Sequence, residues 1–397
     1  MFLSVLRRRN PGLISAAIEL HQAGHLPANT FVLDLDAIEA NARIIATEAA
    51  RLSMTPYAMT KQIGRNPDAC RAIIAGGIPA SVAVDVDCAS STTKAGMRLG
   101  HVGHLVQIPR AEADLVAGMR PEHWTVFSSD KAAEAAAASC ARSRDQALLA
   151  RIHAPGDEFY TGHEGGFGAE DILQVADELD SLAGAHFAGI TTFPALLFDP
   201  ATGTLRTTHN LRTLQQVAAR LAASGRTVEI NGPGTTSAMA LAMLASAGVT
   251  QVEPGHALTG TTPAHVGTDL PEIPAACYLT EVSHHYAGRA YCFGGGLYVD
   301  PVFPDYQITA EVGPAPGETT TCDATLPAPS SIDYYGQLSC ERYTPRTGDS
   351  VVFGFRIQAF VTRGYTAGVA GISTGNPTVA GIWSGDGMRA RSQNAMG

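Results

Sequence analysis

YAMTKQIGRNP, residues 57–67, sets a short apolar run, a single lysine and a helix start in immediate succession. Asn66 suits the cap position, Pro67 the first helical position, DACRAIIA continues the helix, and Gly76 stands past its end. A strand that ends at Lys61 and runs straight into a helix is one βα unit, and the same alternation repeats outward from it. PYAMT (56–60), SVAVDV (81–86), HLVQI (104–108), TVFSS (125–129), ALLARIHA (147–154), FAGITTF (187–193), TVEIN (227–231) and TQVE (250–253) are strand-like runs with helical patterns between them. Eight is the number at which parallel β/α units close into a barrel. A ninth run, TFVLDL (30–35), precedes them and is surplus to closure. Asp36 is expected to cap the helix after it, with Ile38, Ala42, Ile45, Ala49 and Leu52 on one face.

Beyond about residue 270 the helical period disappears. RAYCFGGGLYV, DYQITAEVG, DSVVFGFRIQAFVTR, YTAGVAGIS and PTVAGIWSG are strand-like and separated by Gly, Pro and Asp. The expected fold class is therefore α/β, a (β/α)8 TIM barrel followed by a C-terminal antiparallel β domain. The expected parts are a helical extension over 1–29, a barrel over 30–270 and a β domain over 271–397. GISTG (371–375) fits a nucleophile-elbow pattern, but a strand-like run follows it instead of a helix, and no histidine remains downstream.

Composition narrows the function. A net charge of -10 supplies no basic stripe for phosphate backbones, so nucleic acid is excluded as a partner and a small molecule is favoured. No apolar run approaches the ~18 residues of a membrane span, and MFLSVLRRRN lacks the pattern of a signal peptide. Seven scattered cysteines without C-x-x-C are read as free thiols of a cytoplasmic protein. A metal-dependent barrel hydrolase would need a His/Asp cluster at strand ends, and on the strands as read above only His104 and His153 occur.

Barrel active sites lie at the carboxyl ends of the strands, with phosphate held after strands seven and eight. Strand one ends at Lys61. Strand seven ends in NGPGTTS, where Gly232, Gly234, Thr235 and Thr236 offer backbone N–H groups and hydroxyls ahead of the helix SAMALAMLASAG. Strand eight ends in VEPGHALTG and puts Glu253 on the same rim. A lysine, a phosphate cup and a carboxylate meet the three needs of pyridoxal 5'-phosphate: an amine for its aldehyde, an anchor for its phosphate and a partner for its ring nitrogen.

In this order the residues resemble the fold-type III pyridoxal phosphate enzymes, which include alanine racemases, D-threonine aldolases and decarboxylases of basic amino acids, and among them the YhfX-like group. The resemblance covers about residues 30–380. It implies that Lys61 carries the cofactor as a Schiff base, that the surplus first strand joins the β domain, and that a head-to-tail homodimer shares its sites. Glu253 stands where racemases have arginine; a carboxylate there keeps the ring nitrogen protonated and the site quinonoid-competent. His256 replaces the arginine of the decarboxylase-type EPGR, and Thr192 occupies the place of the histidine that decarboxylases set over the ring. The H-x-C metal element of the aldolases is missing, since no histidine follows His285.

A racemase also needs a second base. Tyr286 of SHHYAG is the candidate, with Tyr334 and Tyr335 as alternatives. Arg356 and Arg363 are candidates for a substrate carboxylate, joined by Asp333 and Tyr334 of APSSIDYYG. GHEGGFG (162–168) reads equally as a lid or as a plain loop. The expected activity is that of an amino-acid racemase or epimerase. A lyase or decarboxylase is the alternative, and a pyridoxal phosphate carrier is the non-enzymatic one.

Overall fold

The computed structural model describes residues 1–300, 306–328, 330–341 and 343–387. Two compact units emerge. One comprises Arg43–Thr60 and Gly77–Gly255; the other comprises Met1–Ala42, Lys61–Gly76 and the described part of His256–Gly397.

The first unit is a closed parallel barrel. Its first strand is interrupted at Tyr57 and consists of Thr55–Pro56 and Ala58–Met59; then come Ala80–Ala83, Arg98–Val102, His123–Val126, Gln146–His153, Ala185–Thr191, Glu229–Asn231 and Gln251–Val252. Closure is direct: Gln251 pairs with Thr55 and Val252 with Pro56, while Ala58 pairs with Ser81 on the other side. Val82, Val102, Val126, Leu148, Ile152, Ile190 and Val252 are fully buried, as expected where helices cover a parallel sheet.

The third and fourth strands lie earlier than the sequence reading placed them. HLVQI attracts a strand assignment by its β-branched run, yet the pairing strand is RLGHV, whose Gly100 admits the Tyr57 ring: a Cβ at Gly100 would stand 2.2 Å from Tyr57 Cδ1. The shift carries His101 and His123 onto barrel strands, and His186 lies on the sixth, correcting the short histidine inventory.

The second unit is built on antiparallel sheet. Arg289–Phe293, Tyr335–Ser339, Thr320–Thr325, Ile308–Gly313, Ser350–Phe353 and Ala276–Tyr286 follow one another side by side, and Ala276–Tyr286 pairs back onto Arg289–Phe293. The surplus strand Thr30–Asp34 lies here, antiparallel to Ala276–Tyr286 and parallel to Tyr365–Ala370, which pairs in turn with Thr378–Trp383. The GISTG segment is the turn of that last hairpin, so no nucleophile elbow forms. Helices Phe2–Arg9 and Pro11–Gln22 press Leu3, Leu6, Leu13 and Ile18 against Val32, Leu279 and Val352.

Caps follow local chemistry. Asn66 accepts hydrogen bonds from Asp68 N and Ala69 N at 2.9 and 3.0 Å, contributing about 1 kcal/mol to the helix Pro67–Ala75. The helix Leu35–Arg51 is capped by Asp34, whose Oδ1 accepts from Ala37 N at 3.0 Å, and not by Asp36. Asp36 lies in the first turn and receives Ser373 Oγ instead, at 2.8 Å.

Cys322 and Cys340 form a disulfide, which corrects the expectation that all the thiols are free. They sit opposite each other where Asp323 pairs with Ser339, a register that composition does not reveal. The thiol-based argument for a reducing compartment loses its ground. No helix of the described residues is long and apolar enough to cross a membrane.

Candidate active site

Within the barrel unit, Glu253 follows the last strand and is buried, with 5 % of its surface exposed. Its Oε1 lies 2.6 Å from His101 Nδ1 and 3.1 Å from Asn231 Nδ2, and its Oε2 lies 3.4 Å from His104 Nε2. Burial alone would push the carboxyl pKa up. The nearby His104, the hydrogen bond from His101 and that from Asn231 outweigh it and hold the group below its ordinary value. Two histidines and a glutamate therefore meet inside the barrel, a cluster that the sequence reading denied.

These ligand atoms lie within 4.8 Å of one another, a spacing that suits a small cation. However, the 2.6 Å between His101 and Glu253 is a direct hydrogen bond, whereas two ligands on one tetrahedral ion at ~2.0 Å stand roughly 3.3 Å apart. His101 and Glu253 are thus joined directly to each other.

Above the barrel core, Arg151 on the fifth strand is fully buried. Its guanidinium donates to His104 O at 3.3 Å, His163 O at 2.6 Å and Phe193 O at 3.5 Å, and lies 4.7 Å from the centroid of the Phe127 ring. Burial lowers its pKa to about 10. One side chain thus gathers the loops after the third, fifth and sixth strands. On the same loops the rings of His104, Tyr160 and His163 pack around Phe193 at 5.6 to 5.9 Å. GHEGGFG belongs to this arrangement, since Phe167–Gly168 pairs with Ile152 and His153. Thr192 is buried and its Oγ1 accepts from Asn210 Nδ2 at 3.3 Å.

The 232–236 loop is more committed than its sequence suggests. Gly232 N donates to Gln251 O, Thr235 N to Leu196 O and Thr236 N to Gly234 O. The group left over is one residue further on. Ser237 is the N-cap of the helix Ala238–Ser246, yet its side chain makes no capping bond; its Oγ is buried and has no hydrogen-bond partner among the described residues. A buried hydroxyl without a partner beside the positive end of a nine-residue helix suits an anion.

In the second unit, Lys61 opens a one-turn 3-10 helix, Lys61–Ile63, and its Nζ lies 5.2 Å from the Phe360 ring centroid. His256 is buried; its Nε2 lies 2.9 Å from Ile357 O and its Nδ1 3.3 Å from Arg356 Nη2. Burial first, and then the Arg356 charge, lower its pKa well below the usual imidazole range. The neutral ring therefore donates through Nε2 and accepts at Nδ1. Arg356 is ion-paired with Asp300, which also accepts from Gln358 Nε2 at 2.7 Å.

Arg363 pairs with Asp333 at 2.8 Å and lies 5.8 Å from the Tyr334 ring centroid. Asp333 in turn organises a loop, accepting from Gly295 N and Leu297 N at 2.8 and 3.1 Å. Arg363 and Asp333 line a cleft of about 950 Å3, together with Tyr298, Asp300, Tyr306 and Ser331. Tyr286 occupies the tip of a hairpin and is 70 % exposed.

Comparison with known proteins agrees with the architecture. The family described as alanine racemase, N-terminal domain, matches residues 33–263, and that described as YhfX-like, C-terminal domain, matches residues 277–379. The chain is 40% identical over 382 residues to the uncharacterized protein YhfX of Escherichia coli strain K12, covering 96% of this chain and 97% of that one. Similar solved structures include D-threonine aldolase from Filomicrobium marinum, with a TM-score of 0.67 at 18% identity over 91% of this chain and 96% of that one. They also include D-threo-3-hydroxyaspartate dehydratase from Delftia sp. HT23, at 0.66 and 16% over 93% and 99%. A third is alanine racemase of Clostridium difficile 630 in complex with cycloserine, at 0.61 and 12% over 91% and 99%. At these identities the likeness is one of fold.

Proposed function

The chain belongs to the alanine-racemase-type family, in its YhfX-like branch, and from that membership we propose that it is a pyridoxal 5'-phosphate enzyme acting on an amino acid through Lys61. Members of this family use that cofactor. The observation that supports the reading is the buried Glu253 carboxylate just after the last barrel strand, kept below its ordinary pKa by His104, His101 and Asn231 and therefore suited to accept from a cationic ring N–H. For the other needs of the group the reading assigns residues of matching chemistry. Lys61 would hold the aldehyde carbon through Nζ, Ser237 and the first turn of Ala238–Ser246 would hold the phosphate, and Glu253 would face the ring nitrogen.

When bound, the cofactor supplies a ring that takes up the electron pair released as a bond at the substrate Cα breaks. The protein's own groups do the rest. The Lys61 amine would serve as the acid/base that moves the Cα proton on one side. Glu253 would hold a proton at the ring nitrogen, and Arg151 holds three loop carbonyls in place around Phe193. We assign the reaction to the racemase or epimerase type in a head-to-tail homodimer, with the exposed Tyr286 of one copy serving the other as second base.

The test is incubation with L- and D-amino acids in deuterated water, reading Cα deuterium, chirality and product mass together. Deuterium with inversion supports this assignment. Deuterium with retained chirality, or loss of carbon dioxide or of the side chain, moves the chain to the lyases.

A further inference from the structure

Glu253 sits at the centre of a two-layer hydrogen-bond arrangement drawn from five barrel strands and the loops after them. The first layer of hydrogen bonds is His101 and Asn231, with the His104 ring 3.4 Å from Oε2 as a charge neighbour. Behind it, His101 Nε2 lies 2.6 Å from Thr125 Oγ1, and Asn231 Oδ1 accepts from Thr191 Oγ1 at 2.7 Å. His101, Thr125, Thr191 and Asn231 have no exposed surface. An ionised carboxylate only accepts, so the short contact puts a proton on His101 Nδ1. The Thr125 hydroxyl then fixes the far end of the ring: it donates to Nε2 when the ring is neutral and accepts when it is charged. In either state the Nδ1–H is aimed at Glu253.

We infer that His101, fastened by Thr125, is a positioning residue that holds the Glu253 carboxylate ionised and oriented as the acceptor for a cationic ring N–H. The inference rests on the pyridoxal phosphate reading for the identity of that ring, but the state of the carboxylate belongs to the protein alone. The geometry favours a relay over a metal centre because His101 and Glu253 are in direct contact at 2.6 Å. Among the described residues, the titratable groups that act on Glu253 from the packed strands and their loops are His101 and His104, and Asn231 is the neutral donor.

The experiment uses full-length apoprotein labelled with glutamate carrying 13C at the side-chain carboxyl, with the Glu253 resonance identified by its loss in Glu253→Gln. In the wild type this resonance stays in the carboxylate position at pH values where an ordinary glutamate is half protonated. His101→Phe keeps the ring shape and removes both nitrogens; it raises the Glu253 proton affinity at least tenfold. His101→Asn places an amide donor near the Nδ1 position and restores most of the wild-type titration, while Thr125→Val falls between the two.

Thr125→Val also carries the test should the Phe variant fail to fold. The same titration in wild type, His101→Phe and Thr125→Val overturns the inference. So does uptake of one equivalent of zinc by the wild type that Glu253→Gln abolishes, since the three side chains are then a metal site. Absence of pyridoxal phosphate binding by the wild type, followed separately by absorbance, removes the functional reading and leaves the titration result standing.

Discussion

Gly234 is small for a reason of packing: a Cβ there would stand 2.6 Å from Leu196 O and 2.7 Å from Leu196 N. Enlarging it would disturb two loops at once and would be a poor probe of phosphate binding. Ser237 is the better probe because its hydroxyl has no hydrogen-bond partner among the described residues. Ser237→Ala is expected to leave the unfolding midpoint unchanged and to weaken pyridoxal phosphate binding roughly tenfold, the worth of one hydrogen bond to a charged group, measured by equilibrium dialysis. Equal affinities would mean that the phosphate lies elsewhere. The positions of Lys61, Glu253 and the 232–236 loop at strand ends were legible because each follows a strand with a recognisable boundary. Ser237 was hidden inside a helix pattern. His101 was hidden because RLGHV contains a glycine and a histidine and does not look like a buried strand, although its Gly100 makes room for Tyr57.

Arg151 illustrates what element-level patterns leave out. ALLARIHA reads correctly as a strand, but the three carbonyls that its arginine holds come from loops 12 to 47 residues away in sequence. Arg151→Met leaves those buried carbonyls without their donor and is expected to destabilise the barrel by about 3 kcal/mol, read from urea unfolding followed by Trp124 fluorescence. A change under ~1 kcal/mol would show that water or neighbouring groups replace the guanidinium without loss. The disulfide is equally opaque to sequence, since seven cysteines give no pairing until strands Thr320–Thr325 and Tyr335–Ser339 are in register. Its sequence separation of 18 corresponds to about 3 kcal/mol of chain entropy in the unfolded state. Cys322→Ser with Cys340→Ser should lower stability by about that amount, and unchanged denaturation midpoints with and without reductant would contradict it.

For the whole molecule, the eightfold alternation and the loss of helical period near residue 270 were enough to anticipate a parallel barrel with an antiparallel β domain. Which unit each segment joins was beyond the pattern, because Lys61–Gly76 lies between barrel strands in sequence and with the β strands in space. Both units carry histidines whose pKa burial lowers, to about 4 for His123 and His265 and well below the usual range for His256. The unfolded chain takes up protons on these groups from about pH 6.5 downward while the folded one does not, so stability must fall as pH drops from 6.5 to 4. Denaturant midpoints at pH 7, 5.5 and 4.5 should decrease in that order, and a flat profile would show that these rings are protonated in the fold. The central claim, that this barrel is a pyridoxal phosphate enzyme working through Lys61, is tested most directly by reducing the cofactor-saturated protein with borohydride and weighing the intact chain before peptide mapping. The account predicts one reduced cofactor per chain, carried on the peptide containing Lys61 and lost in Lys61→Ala; a label on another lysine, or none, would contradict it.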